Sequence, residues 1–186
     1  MSERPIPPRP GPGSGDARLA AMLRVDHAGE VAAVHIYRGH RAVFEAAGRD
    51  EAAQRMKDFE SHEAVHLARF ETLLTEKRVR PTLMSPVWRA AAFGLGVGTA
   101  LLGEKAAEAC TEAVETVIED HYAKQIAELG DREAGLAGEL AAFRADEIAH
   151  RDDAAQHGAR EAPMYPLLSF VVRAGCRAAI KISELV

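Results

Sequence analysis

HEAVHLARF, residues 62–70, decides the fold because it holds one of only two Glu-x-x-His matches in the sequence. The second match, Glu147-x-x-His150, lies in FRADEIAHRDDA, residues 143–154. Side chains three residues apart lie on the same face of an α-helix, so the glutamate and histidine of each match can bind one metal ion together. Each match therefore predicts a long helix that directs a carboxylate and an imidazole into the protein.

A lone glutamate precedes each match at nearly the same distance, so the pattern is an internal repeat. Glu30 lies 33 residues before Glu63, and Glu115 lies 32 residues before Glu147. Each lone glutamate is followed by a tyrosine seven residues later. Four glutamates and two histidines contributed by four helices are the ligand set of a two-metal carboxylate site. The predicted metal ligands are Glu30, Glu63, His66, Glu115, Glu147 and His150, and the two tyrosines are Tyr37 and Tyr122.

Glycines interrupt the helical pattern at matching places in the two halves. We expect a first helix over about residues 16–47, ended by Gly48, and a second over roughly 50–78. In the second half, Gly130 separates the two helices of the corresponding pair. The sequence thus predicts an all-α, ferritin-like four-helix bundle made of two helical hairpins.

The rest of the chain divides into a tail, a connection and a last helix. Residues 1–15 contain five prolines and three glycines and predict a disordered tail, which leaves 16–186 as a single ferritin-like domain. Between the hairpins, the apolar run 90–103 predicts a short connecting helix. After Pro166 the sequence predicts a C-terminal amphipathic helix.

The connecting run and the last helix both have features typical of segments that contact a membrane surface. The charges of the last helix, Arg173, Arg177, Lys181 and Glu184, follow at steps of four, four and three, and so form one mostly basic stripe on a broad apolar helix. The alternative is a helix packed on the bundle with its charged edge in water. A small bundle has little room to bury this helix and residues 90–103 together, so we expect both to contact a membrane. No stretch reaches the roughly 20 apolar residues of a spanning helix.

The charge of the predicted centre favours two divalent cations. Four carboxylates in a core repel one another, and each is costly to remove from water. Two divalent ions balance the four negative charges. Carboxylate and imidazole ligands suit iron or manganese, whereas zinc sites more often contain thiolates or further histidines. We expect Glu30 and Glu115, whose helices carry no histidine ligand, to bridge the two ions.

Other polar residues near the ligands have predicted supporting roles. Asp26 and Asp146 are candidates to accept the second N–H of a metal-bound histidine. Tyr122 is a candidate catalytic residue, either by a hydrogen bond to a ligand or by a place in the path of electrons, and packing alone is the alternative. Glu108 and Glu112 break the spacing of the repeat, so they are predicted to be surface charges.

Overall charge and cysteine content narrow the function classes. The net charge of −5 argues against a nucleic-acid-binding protein. Cys110 and Cys176 form no C-x-x-C pair and are predicted to be reduced packing residues. The start of the chain lacks the apolar core of a signal peptide and the Arg/Ser-rich pattern of a transit peptide. We therefore expect a peripheral protein on the cytoplasmic face of a bacterial inner membrane.

Six separated motifs resemble, in order and spacing, the demethoxyubiquinone hydroxylase family of ubiquinone biosynthesis. The resemblance covers about residues 17–186 and implies that the family's iron ligands are the six glutamates and histidines found from the repeat. The motifs are LRVDHAGEVAAVHIYRGH (23–40), HEAVHLARF (62–70), VRPTLMSPVWRAAAFGLGVGTALLG (79–103), EACTEAVETVIEDHYAKQI (108–126), FRADEIAHRDDA (143–154) and AGCRAAIKISELV (174–186).

The resemblance implies a ferritin-like monooxygenase with two iron ions that binds membranes peripherally. Its substrate would be a polyprenylated benzoquinone, demethoxyubiquinone, whose ring is hydroxylated with dioxygen. Reducing equivalents would come from NADH, directly or by way of the quinone, and an accessory lipid-presenting protein is a candidate partner. Three alternatives stay open: a ferroxidase or iron-storage subunit, another ferritin-like di-metal oxidase or peroxidase, and a non-catalytic lipid-binding helical protein.

Overall fold

The computed structural model describes residues 17–186, and this part of the chain contains helices and no strand. The predicted all-α helical bundle is confirmed, while its more specific likeness to ferritin stays a prediction. The predicted tail, residues 1–15, lies outside the described residues. The helices are α1 (Ala17–Ala46), α2 (Asp50–Glu76), α3 (Ser85–Leu101), α4 (Glu104–Leu129), α5 (Ala134–Gln156) and α6 (Tyr165–Leu185), with short 3-10 helices at Gly130–Glu133 and Ala159–Glu161.

Two helical hairpins form the centre of the fold. α1 packs along α2, and α4 packs along α5. Gly48 and Gly130 stand at the two turns with φ angles of 68° and 49°, in the left-handed region where a side chain would add strain. The matching glycines of the sequence therefore mark the two tight turns.

The hairpins enclose apolar clusters on both sides of the predicted metal ligands. At one end, Leu23 of α1 and Phe70 of α2 pack with Leu140 of α5. At the other end, Phe44 of α1 and Met56 of α2 lie in a second cluster. The ligands fall between these clusters along both helices, so the fold surrounds a polar centre with apolar side chains.

Helices α3 and α6 form an outer layer against α1 and α4, which we call the α3–α6 layer. α3 approaches α1 so closely that backbones touch at two glycines. A Cβ atom on Gly39 would stand 2.6 Å from the carbonyl oxygen of Phe93, and one on Gly96 would collide with the carbonyl group of Ile36. The connecting helix is therefore held by backbone contact, which hydrophobic periodicity alone did not predict.

The outward face of this layer is rich in apolar side chains. Arg177 and Lys181 are also exposed on α6, whereas Arg173 and Glu184 are half-buried, so only part of the predicted charged stripe reaches solvent. None of the described helices is long and apolar enough to cross a membrane. The large exposed apolar residues of the layer are Val87, Phe93, Leu101, Leu167, Phe170, Val171, Ile182 and Leu185.

Two glutamates predicted to be surface charges are buried, so that prediction was wrong. Arg55 of α2 donates a hydrogen bond to Glu108. Glu112 accepts hydrogen bonds from Arg160 Nε at 3.0 Å and from the Tyr165 hydroxyl at 2.6 Å. Partners for a buried carboxylate that come from distant helices cannot be read from local spacing.

Candidate metal centre

All six predicted ligands converge between the two hairpins. α1 supplies Glu30, and α4 supplies Glu115 from the opposite hairpin. α2 and α5 face each other with their Glu-x-x-His pairs. Each of the six residues is buried, with an exposure of at most 4%. The repeat in the sequence therefore becomes one cluster in space.

The cluster contains two overlapping groups that can each hold a metal ion. The first consists of Glu30, Glu63, His66 and Glu147, and the second of Glu63, Glu115, Glu147 and His150. Within each group, one ligand atom from each residue lies within 4.8 Å of all the others.

Glu63 and Glu147 belong to both groups, so they are the glutamates that two bound ions would share. Each imidazole lies close to the glutamate of the opposite hairpin: His150 Nδ1 is 2.9 Å from Glu63 Oε1, and His66 Nδ1 is 3.4 Å from Glu147 Oε1. Glu30 and Glu115 each belong to one group only. This arrangement favours Glu63 and Glu147 as the shared ligands over the expected Glu30 and Glu115, because α2 and α5 place their carboxylates between the two imidazoles.

The polar atoms that face the middle of the cluster are buried and have no hydrogen-bond partner. The 2.9 Å approach of His150 to Glu63 does not have the direction of a hydrogen bond. Buried polar atoms in folded proteins are nearly always satisfied, and metal coordination would satisfy this set. The donor set therefore fits two divalent cations. The atoms are Glu30 Oε2, both carboxylate oxygens of Glu63 and of Glu147, Glu115 Oε2, His66 Nδ1 and His150 Nδ1.

The pKa shifts of the ligands indicate that the cluster needs compensating positive charge. Burial, together with the negative charge of neighbouring glutamates, raises the pKa of Glu30 and of Glu115 well above its usual range. Burial opposes ionisation of Glu63 as well, but the approach of the two histidines outweighs it and lowers that pKa to about 2. Burial alone would lower the pKa values of His66 and His150, yet the facing carboxylates raise both to about 10. Protons thus compensate the carboxylates in the absence of cations, and cations can replace them.

Each ligand histidine has a different outer partner. His66 Nε2 lies 3.1 Å from Oδ2 of Asp146, as predicted for that aspartate. His150 Nε2 lies 3.2 Å from Nδ1 of His62. Asp26 does not contact a ligand imidazole in the described structure, contrary to the prediction. Asp26 instead contacts two residues of α4: it accepts a 2.8 Å hydrogen bond from Gln125 Nε2 and lies 3.3 Å from His121 Nε2.

The two tyrosines of the repeat reach across to the opposite hairpin. Tyr122 on α4 donates a hydrogen bond to Oε1 of Glu30 on α1, and Tyr37 on α1 donates one to Oε1 of Glu115 on α4. Both rings are buried. Tyr122 therefore takes the first of its predicted roles, a hydrogen bond to a ligand, and Tyr37 takes the same role in the other half. The repeated spacing contained the signal for Tyr37, whereas nothing in the repeat pointed to His62 or Gln125.

An apolar cavity of ≈ 360 Å³ lies between the bundle and the α3–α6 layer. Its wall includes Gly29 and Val114, the chain neighbours of the ligands Glu30 and Glu115. On the other side, Trp88 of α3 and Val171 of α6 contribute to the lining. Val171 is also exposed on the outward face of the layer. The cavity is therefore lined both by chain neighbours of two ligands and by an exposed residue of the α3–α6 layer.

Comparison with known proteins finds one family over almost the whole described chain. Residues 17–183 match the sequence profile described as "Ubiquinone biosynthesis protein COQ7". The 3-demethoxyubiquinol 3-hydroxylase of Rhodospirillum rubrum is 47% identical over 178 residues, which cover 95% of this chain and 82% of that protein.

Mitochondrial proteins are also similar. The rat protein named NADPH-dependent 3-demethoxyubiquinone 3-hydroxylase is 44% identical over 172 residues, 90% of this chain and 78% of the relative. The 5-demethoxyubiquinone hydroxylase of Saccharomyces cerevisiae is 37% identical over 183 residues, again covering 90% and 78%. The rat protein's name gives NADPH, whereas the sequence-based expectation for this chain was NADH.

Proposed function

This chain belongs to the COQ7 family of ubiquinone biosynthesis proteins, and on that premise we propose that it is a di-iron monooxygenase that hydroxylates the ring of demethoxyubiquinone. The observation that carries the proposal is the pair of overlapping Glu/His groups whose inward-facing atoms have no other partner. The overall reaction replaces one ring C–H bond by C–OH and reduces the second oxygen atom of dioxygen to water. It consumes two electrons and two protons.

Two iron ions, when bound, would supply the redox and Lewis-acid chemistry that activates dioxygen. Glu63 and Glu147 would hold both ions, while Glu30 with His66 and Glu115 with His150 would complete the two positions. Tyr122 donates a hydrogen bond to one carboxylate oxygen of Glu30, and Tyr37 donates one to a carboxylate oxygen of Glu115. The second oxygen of each carboxylate is directed at the centre. The tyrosines thereby orient the non-bridging glutamates.

The apolar cavity is the proposed binding place for the quinone. Its lining is almost entirely apolar, which suits a methoxylated ring and the start of a polyprenyl tail. A ring bound against Gly29 and Val114 would lie beside the backbone positions of the ligands Glu30 and Glu115. The apolar clusters at both ends of the centre limit the access of water to the reacting atoms.

The α3–α6 layer is the proposed contact with the membrane. Exposed Phe170 and Leu167 lie on the same helix as the exposed cations Arg177 and Lys181. Apolar side chains beside basic ones favour the interface of an anionic bilayer. We therefore place the protein peripherally on the cytoplasmic face of a bacterial inner membrane, where a polyprenyl tail can pass from the lipid into the cavity.

The test is an isotope experiment on the iron-loaded protein. The protein is incubated with a demethoxyubiquinone analogue, labelled dioxygen and either NADPH or NADH, and the product quinone is weighed. We expect a gain of one labelled oxygen atom, lost in Glu115→Ala and retained in the matched control Glu104→Ala, a half-buried site on the same helix whose side chain pairs with Arg49. The reductant that supports the gain identifies the electron source. Peroxide consumption or iron oxidation without quinone labelling would instead favour a ferroxidase or a peroxidase.

The cavity assignment has an independent test. Cys176 lines the cavity, whereas Cys110 is fully buried in the neighbouring core. A bound quinone analogue should slow the alkylation of Cys176 by a small thiol reagent, and Cys176→Ser should abolish that alkylation. An unchanged rate at saturating quinone would contradict binding in this cavity.

A further inference from the structure

The two halves of the metal centre have matching sets of glutamates and tyrosines, but the outer partner of the histidine differs between them. Each metal group contains both shared glutamates and one further glutamate that accepts a hydrogen bond from a tyrosine of the opposite hairpin. The outer nitrogen of His66, however, meets the carboxylate of Asp146, at 3.1 Å. The outer nitrogen of His150 meets the ring of His62, at 3.2 Å, with the two ring planes 12° apart. The outer contact of the ligand histidine is thus a carboxylate in one half and an imidazole in the other.

These two contacts affect a metal ligand differently. A carboxylate that accepts the outer N–H of an imidazole fixes the ring and makes its other nitrogen a stronger donor to the metal. An imidazole in the same place can fix the ring but contributes no negative charge. His66 is therefore the stronger of the two nitrogen ligands.

Resting on the proposed two-metal site, we propose that Asp146 and His62 are positioning residues that make the two metal positions unequal. The position of His66, with Glu30 and the shared glutamates, binds its ion first and more tightly. The position of His150, with Glu115 and the same shared glutamates, fills second. The loading order is set outside the ligand shell, by residues that do not touch the ion.

Both positioning residues are open to substitution without damage to the core. The side chain of Asp146 is 58% exposed, and His62 is exposed on α2. Asp152 offers a matched control, because it is an exposed aspartate on the same helix that accepts hydrogen bonds from Arg151 and contacts no ligand histidine. Asp146→Asn and Asp152→Asn therefore change charge equally, and only the first lies against the centre.

The experiment is a titration of the metal-free chain with Mn²⁺, followed by electron paramagnetic resonance. One bound ion gives an isolated six-line signal, and two ions sharing bridging carboxylates give a spin-coupled signal. We expect the wild-type chain to show the isolated signal up to one equivalent and the coupled signal by two. Asp146→Asn should weaken the first binding step about 10- to 100-fold, so the coupled signal appears below one equivalent. Asp152→Asn should match the wild type.

His62→Gln completes the test by acting on the other half. It should leave the first step unchanged and shift only the second. The proposal is overturned if the wild type fills both positions together, if Asp146→Asn leaves the first step unaltered, or if His62→Gln weakens that step. Failure of the wild-type chain to bind any Mn²⁺, Fe²⁺ or Co²⁺ at the cluster would instead contradict the two-metal site itself.

Discussion

The metal centre between the hairpins has buried polar atoms without hydrogen-bond partners, whereas the α3–α6 layer has apolar side chains that are exposed to solvent. In the proposed function, cations complete the first region and lipid covers the second. The centre is set by single atoms, such as the oxygens of Glu63, that must lie within a few ångströms of one another. The layer depends on a broad surface to which no single residue is essential. Substitutions should therefore act locally and severely in the centre and in a graded way in the layer.

The largest expected effect is the loss of a shared carboxylate. Glu63→Ala removes a residue common to both metal groups, so we expect both ions and the hydroxylation to be lost together. Glu60→Ala, on the same helix, removes the partner of Arg38 and Arg41 but no ligand. Metal analysis of the purified variants should give none for the first and two ions per chain for the second. Retention of one ion by Glu63→Ala would contradict its bridging position.

Metal removal should make the stability of the protein fall with rising pH. The pKa values of Glu30 and Glu115 are raised by burial and by neighbouring carboxylates, so the stability they contribute is present below about 4.5 and lost as pH rises through their folded-state values. The pKa values of His66 and His150 are raised to about 10, so their contribution to stability is lost between about pH 6.5 and pH 10. The pKa of Glu63 is lowered to about 2, so its contribution to stability is lost only as the pH falls below about 4.5.

Urea unfolding of the metal-free and metal-loaded protein at pH 6 and pH 9 measures this difference. We expect the metal-free protein to lose about 1 kcal/mol or more per pH unit, since a single titrating group contributes at most about 1.4 kcal/mol per unit. The loaded protein should change much less, because the cations have replaced the protons. Parallel profiles for the two forms would show that the pKa values of these groups are not raised in the metal-free folded protein.

The sequence specified the centre better than the layer for physical reasons. A metal ion needs particular ligand atoms, and these give a recognisable spacing in the sequence. Residues three apart, as in Glu63-x-x-His66 and its counterpart, lie on the same face of a helix. The spacing favoured Glu30 and Glu115 as bridging ligands, whereas the grouping of ligand atoms in the structure favours the glutamates of α2 and α5, because that grouping depends on how the two helices face each other. Asp26 was misassigned for the same reason, since its partner Gln125 lies on α4. The close contact of Gly39 with α3 left no periodic signal at all.

Backbone contact at the glycines should control the position of α3. Gly96→Ala places a Cβ against the carbonyl of Ile36, so we expect a loss of about 1–3 kcal/mol in unfolding free energy and a displaced α3. Gly98→Ala on the same helix has no atom within 4 Å of the added Cβ and serves as the control. Equal stabilities of the two variants would contradict the close packing of α1 and α3.

The smallest expected effect concerns the apolar surface. Phe170→Glu should weaken binding to vesicles of phosphatidylglycerol and phosphatidylethanolamine about ten- to a hundredfold, since a buried aromatic side chain contributes about 1.5–3 kcal/mol and each 1.4 kcal/mol is a factor of ten. Metal content should be unchanged. Val65→Glu is the control, because Val65 is exposed on α2, outside the layer. Equal vesicle binding by both variants would exclude α6 from the membrane contact.

The most direct test of the shared-carboxylate centre is a crystal structure of the iron-loaded protein with diffraction data collected on both sides of the iron absorption edge. We predict two anomalous peaks per chain, one among Glu30, Glu63, His66 and Glu147 and the other among Glu63, Glu115, Glu147 and His150. Glu63 and Glu147 should contact both peaks. A single peak, or two peaks that share neither glutamate, would contradict the account.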